Sequence, residues 1–424
     1  MSNIVFGTDG WRDIIAEGFT FGNVRIVAAA IADYVKSAYP ADRPVLVGYD
    51  TRFLAREFAE TVVAVLQSRA LKTLLAKRDV ATPVIAYAAR DLNSAGAVML
   101  TASHNPPQYC GIKYIPDYAG PATKDITDTI VANVKRLQGE AADLPTGRVV
   151  GEEFDPMPRY FAWIRQLVPG NELKKAHLKV VYDALYSTGR GYLDELLREY
   201  GCDVIALHGY RDPLFGGGMP EPAKAQLGEL IETVKTERAA LGLATDGDSD
   251  RFGVVDSEGT FYTPNQIIAL LLRHLVKNRG AKGVVVRTVA TTHLIDRLGA
   301  HYGVEVRETP VGFKWVGEKM RQEPVIIGGE ESGGLSVLGH IPEKDGILAN
   351  LLVADMVATE GKPIAQIWQD LVAEVSWNPA NRRLDLHLSE HAKAEVLRLF
   401  LERTPSEVAG IKVQDVLRKD GVKL

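Results

Sequence analysis

The 424 residues carry 49 Lys and Arg against 54 Asp and Glu, a formal net charge of −5 at pH 7, with 46% apolar and 24% charged residues. These are ordinary globular proportions, which exclude global disorder, and no basic excess offers a footprint for nucleic acid. Two cysteines, Cys110 and Cys202, cannot build a disulfide framework and fit a reducing cytoplasm; the N-terminus MSNIVFGTDGWRD lacks a signal-peptide layout, and no apolar run is long enough to cross a bilayer.

At about 150 residues per domain the length predicts about three domains. In chain order, the periodicity predicts a helix over 24–38, strands over 44–50 and 96–100, and a polar connection over 139–152. A strand over 178–184 follows, then a helix over 192–201 ended by Gly201 and a loop over 209–222, where Gly216–Gly218 and two prolines sustain no element. Next come a helix over 225–237, a strand over 241–246, a helix over 265–280 ended by Gly280, and strands over 283–288 and 324–329. These strands are continuous apolar runs rather than alternating ones, as in parallel sheets covered by helices on both faces. Repeated strand–helix alternation predicts α/β layers. Past Trp377–Pro379 the texture changes: RRLDLHLS (382–389) alternates and HAKAEVLRLFLER (391–403) is helical. Three blocks of similar length are present, but no sequence repeat is strong enough to count.

Four clusters carry chemistry. TASHNPPQYCGIKY (101–114) follows an apolar run and puts a hydroxyl, an imidazole and a carboxamide at the carboxyl edge of a sheet, where open α/β sheets bind ligands. In TDGDSDRFG (245–253), Asp246, Asp248 and Asp250 alternate, so their carboxylates converge and call for a hard divalent cation. An EF-hand is excluded, because its sixth and twelfth positions are Arg251 and Ser257 here. FGTDGWR (6–12) and GGEESGGL (328–335) pair glycines with Arg12, Glu330 and Ser332, and TPVGFKWVG (309–317) offers Gly312 and Lys314. Taken singly, the first cluster reads equally as a capped turn, the aspartate cluster keeps a solvated acidic turn as its alternative, and the glycine clusters are common turns.

Together and in this order, Thr101-Ala-Ser-His-Asn-Pro106, Asp246-Gly-Asp-Ser-Asp-Arg251, Gly329-Glu-Glu-Ser-Gly333 and the N-terminal Gly-Thr-Asp-Gly-Trp-Arg resemble the α-D-phosphohexomutases, the phosphoglucomutase and phosphomannomutase family. The resemblance covers residues 1 to about 370. It implies three similar α/β domains with mixed, mostly parallel sheets, plus a partial α+β C-terminal domain, around a central cleft: 1–147 with the phosphoserine loop, 148–252 with the metal loop, 253–370 with the sugar loop, and 371–424. It implies that Ser103 is phosphorylated and, with Asp246, Asp248 and Asp250, holds Mg²⁺. Arg12 and Arg251 would support the transferring phosphoryl, and Lys113 or His104 would move the hydroxyl proton, Lys113 being preferred because a cationic site lowers a lysine pKa. Arg287, Thr309, Gly312, Lys314, Glu330 and Ser332 would bind substrate. The implied reaction exchanges hexose 1-phosphate and 6-phosphate through a 1,6-bisphosphate, with glucose 1,6-bisphosphate as activator. Expected partners are small hexose phosphates, with no nucleic acid and no membrane, in a cytoplasmic monomer or homodimer.

Glucose is the expected sugar, because Gly334 stands where several relatives carry His; mannose and glucosamine phosphates are alternatives, as is a sugar-phosphate-binding protein with impaired turnover. A metal-aspartate phosphatase would need its nucleophile at Asp50 or Asp183, and neither has the other clusters around it. Three departures stand out. Cys110 replaces the usual Asn or Asp, Asp13 follows Arg12 where Gly is common, and no Arg-x-Ser-Gly-Thr-Glu-Pro segment, which grips the phosphate not being transferred, occurs in the 424 residues.

Overall fold

The continuous apolar runs become inner strands of three sheets in the computed structural model, which describes residues 4–6, 10–138, 144–379, 388–418 and 420–424. The first sheet contains β1 (Trp11–Ile14), β2 (Val45–Tyr49), β3 (Thr73–Ala76), β4 (Ala97–Leu100), β5 (Tyr109–Ile115) and β6 (Glu152–Phe154), in the order β1-β5-β4-β2-β3-β6. The second contains β7 (Lys179–Asp183), β8 (Asp203–Leu207), β9 (Leu241–Thr245), β10 (Phe252–Asp256) and β11 (Phe261–Tyr262), ordered β11-β10-β9-β7-β8. The third runs β13-β12-β14-β15 from β12 (Val284–Thr288), β13 (Val306–Thr309), β14 (Val325–Gly329) and β15 (Leu335–Val337).

One unit recurs. In β3-β2-β4-β5, β8-β7-β9-β10 and β13-β12-β14-β15 the first three strands in sequence are parallel, and the fourth returns antiparallel beside the third. The repeat absent from the sequence is present in the topology. β6 pairs with β3 although it lies past the expected boundary at 147, and β10 and β11 keep the second sheet running beyond 252.

Helix starts follow local chemistry. Thr20 caps Phe21–Ala38 by accepting from the Asn23 N–H, and Thr263 with Gln266 forms a capping box ahead of Pro264–Lys277. Gly346–Glu360 is capped by Asp345 and buries twelve of its fifteen residues, with Asn350 donating to the Ala244 carbonyl of the second sheet. A continuous core spans side chains of all three sheets, from Leu46 through Leu243 and Ile327 to Leu371. This packing fixes the three loop sets relative to one another.

Helix Ile364–Val375 crosses the expected boundary at 370. Beyond it lie helix Glu390–Glu402 and the hairpin β16 (Glu407–Val408) with β17 (Ile411–Lys412). Most of the alternating segment expected at 382–389 falls outside the described residues. The segment after β17 returns to the third domain, where Asp420 accepts from the Val311 N–H and Lys423 pairs with Glu308. Among the described residues, no helix is long and apolar enough to cross a membrane.

Candidate active site

The three chemical loops occupy one topological position. Residues 101–108 join β4 to β5, residues 246–251 join β9 to β10, and residues 330–334 join β14 to β15, in each case the turn from third to fourth strand of the repeated unit. The turns then touch. Gly247 lies so close to the first turn that an added Cβ would stand 2.3 Å from the Ser103 carbonyl oxygen. Arg251 and Gly334 form an antiparallel bridge between the second and third turns.

Ser103 is buried, with backbone φ at +51°. Its Oγ donates to Asp246 Oδ2 at 2.9 Å, and its N–H donates to Thr101 Oγ1. The other oxygen of Asp246 accepts from the Arg251 N–H at 3.0 Å. Asp248 Oδ2 accepts from Thr82 Oγ1 at 2.6 Å and from Lys113 Nζ at 3.2 Å. Asp250 Oδ2 lies 3.2 Å from Lys344 Nζ, without the angles of a hydrogen bond. One carboxylate oxygen of each aspartate lies within 4.8 Å of the others.

This donor set fits a hard divalent cation. Burial, then mutual repulsion, pushes the Asp246 carboxyl well above its ordinary range and Asp250 upward too. Both oxygens of Asp250 are buried without accepting a hydrogen bond. A cation bound by oxygen relieves both conditions at once.

Burial, and then the Arg251 and Arg12 charges, lower the His104 pKa to about 3, so the imidazole is neutral; its Nδ1 lies 3.5 Å from Ser103 Oγ. Lys113, on β5, does not stand in the cationic surroundings the sequence suggested. Its neighbours are the carboxylates of Asp248 and Asp250, the latter at 3.9 Å, because β5 returns directly past the metal loop. Arg12 on β1 donates to Asn105 Oδ1 at 3.1 Å.

Arg12, Arg251, Gly312, Glu330, Ser332 and Lys344 line a cleft of about 460 Å³. Glu330 Oε1 accepts from the Gly312 N–H at 2.9 Å, and burial raises its carboxyl pKa. Lys314 sits over the Trp315 ring beside this cleft. Thr309 is turned inward, donating to the Arg287 and Pro310 carbonyls. Arg287 is the main correction: its guanidinium is buried between Asp296 and Glu308 and also meets the Thr288 carbonyl and His293, so it faces its own domain rather than sugar. Cys110 is a buried thiol in β5, its pKa pushed up by burial, and Asp13 continues β1 opposite it.

Three neighbours of the site were missed from the sequence. Thr82 begins a helix and holds Asp248, Arg52 lies beneath the serine loop, and Lys344 precedes the cap Asp345. The signal for Lys344 was an Asp cap after a charged pair. Gly334 makes room for it, since a Cβ there would meet Lys344 Cδ at 2.4 Å.

Comparison with known proteins agrees with this arrangement. Phosphoglucomutase/phosphomannomutase domain models match in order: domain I at residues 3–140, domain II at 158–259 and domain III at 263–375. A phosphoglucomutase/phosphomannomutase of Thermococcus kodakarensis is 30% identical over 373 residues, covering 87% of this chain and 80% of the relative. A phosphoglucosamine mutase of Carboxydothermus hydrogenoformans is 30% identical over 379 residues, 87% and 82% of the two chains. A solved structure from Thermus thermophilus, named for phosphomannomutase, superposes with a TM-score of 0.88 at 34% identity, over 99% of this chain and 90% of that one. With all three domain models matched in order and the three turns of the repeated units meeting at one place, the chain belongs to the α-D-phosphohexomutases, isomerases that move a phosphoryl group within a hexose phosphate.

Proposed function

We propose that the protein interconverts hexose 1-phosphates and 6-phosphates through phosphorylated Ser103, with glucose as its preferred sugar and Mg²⁺ as its metal. The observation that carries this reading is the Ser103 Oγ held at 2.9 Å from Asp246 inside a buried three-aspartate cluster. Asp246, Asp248 and Asp250, with the Ser103 phosphate, would hold the ion, which when bound supplies Lewis-acid stabilisation of charge on the transferring group.

The chain's own residues do the rest. The P–O bond to Ser103 breaks as a bond to the free sugar hydroxyl forms, and the hydroxyl proton passes to the neutral imidazole of His104, while Lys113 stays ion-paired with Asp248 of the metal loop. The resulting bisphosphate turns over, its other phosphoryl returns to Ser103, and the proton goes back to the released sugar oxygen. Arg12, Arg251 and Lys344 line the cleft as cations that face phosphate, while Glu330 and Ser332 offer acceptors and a donor to sugar hydroxyls in either orientation. The wall formed by Lys344 packed over Gly334 favours an uncharged sugar over an ammonium-bearing one, which supports glucose against glucosamine.

The test is a coupled assay of the 1-phosphates of glucose, mannose and glucosamine, with Mg²⁺ and a trace of the matching 1,6-bisphosphate. The expected result is the highest kcat/KM for glucose. Ser103→Ala should lose at least about 10³-fold in kcat while sugar-phosphate binding measured by calorimetry persists. Silence with all three sugars sinks the mutase reading; preference for mannose or glucosamine sinks the choice of glucose alone.

A further inference from the structure

We propose that Arg52 is a positioning residue for the phosphoserine loop and that residues 208–218 of the second domain hold it in place. The side chain is fully buried at the end of β2, and all five of its N–H groups are used. Nε donates to Asp50 Oδ2 at 3.0 Å, Nη1 to the carbonyls of Pro106 and Tyr109 at 2.8 and 2.9 Å, and Nη2 to those of Ser103 and Asn105 at 2.6 and 2.7 Å. Asp50 in turn accepts from the Arg52 N–H, which fixes the pair.

Four carbonyl oxygens of one loop therefore converge on one cation. Without it they would lose these bonds, Pro106 alone keeping a backbone one from the Tyr109 N–H, and would face one another in a buried space. Ser103 needs such a hold, since its left-handed backbone is one that residues other than glycine adopt only where the surroundings impose it. Arg52 is fully buried with its donors spent on the loop carbonyls and Asp50, so it acts through the loop.

The second domain covers the remaining face of the guanidinium. The Phe215 ring centre lies 5.1 Å from its carbon, and Arg211 Nη2 donates to the Arg52 carbonyl at 3.2 Å. Phe215 is itself buried with φ at +51°, and Gly216 packs where a Cβ would stand 2.7 Å from the Tyr186 ring. The Gly- and Pro-rich segment after β8 thus seats an aromatic ring under Arg52 and couples the first domain's serine turn to the second domain.

The kinetic arm rests on the mutase reading; a second arm does not. Arg52→Lys should lower kcat about 10²-fold with KM for the hexose phosphate little changed, the signature of a displaced reacting group rather than lost binding. Guanidinium ion added to Arg52→Ala should restore part of that rate. Phe215→Leu and Arg211→Ala, which leave every Arg52 donor in place, should lower kcat about 3- to 10-fold with KM little changed in enzyme that remains folded at the assay temperature. Amide exchange over residues 102–110 should quicken in all four variants while that of β9 and β10 stays as in the parent.

A folded Arg52→Lys enzyme with parental kcat, or one altered in KM alone, overturns the role of Arg52. Parental kcat in both Phe215→Leu and Arg211→Ala overturns the role of residues 208–218, and these two variants decide the matter if Arg52 variants do not fold. If the parent converts no hexose phosphate, the mutase reading fails, and exchange over residues 102–110 alone then decides the role of Arg52: quickened exchange supports it and unchanged exchange overturns it.

Discussion

A methyl group added at Gly247 and one added at Gly334 would meet different kinds of neighbour. At Gly247 the obstacle is the Ser103 carbonyl, backbone already tied to Arg52; at Gly334 it is the middle of the flexible Lys344 side chain. Gly247→Ala should therefore cost about 1–3 kcal/mol of stability, seen in urea unfolding, and lower kcat more than tenfold by separating serine from metal loop. Gly334→Ala should also cost about 1–3 kcal/mol, because the buried Lys344 is met at Cγ and Cδ rather than at its tip, and should move Lys344 away from Asp250. With a cation withdrawn from the aspartates, Mg²⁺ should bind more tightly in calorimetry; weaker binding would show that Lys344 does not compete with the metal. At this scale the sequence yielded what is local. Ser103, the three aspartates, Glu330 and Ser332 lie within short motifs, whereas Arg52 and Lys344 reach the site only through the fold. Arg287 was expected to bind substrate by resemblance, and only the fold brings Asp296 and Glu308 against its guanidinium.

Among elements, some helices with one apolar face were legible, while others with such a face, Ala55–Ser68 and Lys124–Leu137 among them, were passed over, as was the helix without one. Pro264–Lys277 has an apolar stripe, a Pro at its start and a glycine after its end. Gly346–Glu360 is buried on all sides, so no 3.6-residue period marks it. The strands β8 and β13 were missed because, at sheet edges, they are half exposed and lack the continuous apolar run of β7 and β12. Charges staple these helices together. Arg273 pairs with Glu360 and Glu374, and Lys277 and Tyr302 also reach Glu374. Burial alone would raise the Glu374 pKa, but hydrogen bonds from Arg273, Lys277 and Tyr302 outweigh it and bring it from 4.5 to about 2. A depressed folded-state pKa stabilises fully above the unfolded value and loses that contribution as pH falls from about 4.5 towards 2. Glu374→Gln should cost about 1–2 kcal/mol at neutral pH and flatten the acid limb of the stability curve. A variant with the parental acid limb would place the acid sensitivity in other carboxylates.

Across the whole molecule, the number of units was legible from length and alternation, but their equivalence was not. Three-dimensional order recurs where side chains differ, because a strand order depends on buried patterning that many residue choices satisfy. The core shared by the three sheets implies that they melt together. Thermal unfolding followed by tryptophan emission, with Trp11 in the first domain and Trp163 and Trp315 in the next two, should coincide with loss of helical circular dichroism. Two resolved transitions would mean that the sheets are energetically separate despite their contact.

The placement of the serine, aspartate and Glu330 loops at the same turn of a repeated unit has an evolutionary consequence. On the proposed function, the turns of the first two units move the phosphoryl group and that of the third reads the sugar. Drift in the third turn can then retune which sugar is accepted without disturbing the machinery that moves phosphate. A lineage built this way would diversify by changing its reader while inheriting its engine, and exchanging residues 330–334 between this chain and a relative should then shift sugar preference more than kcat.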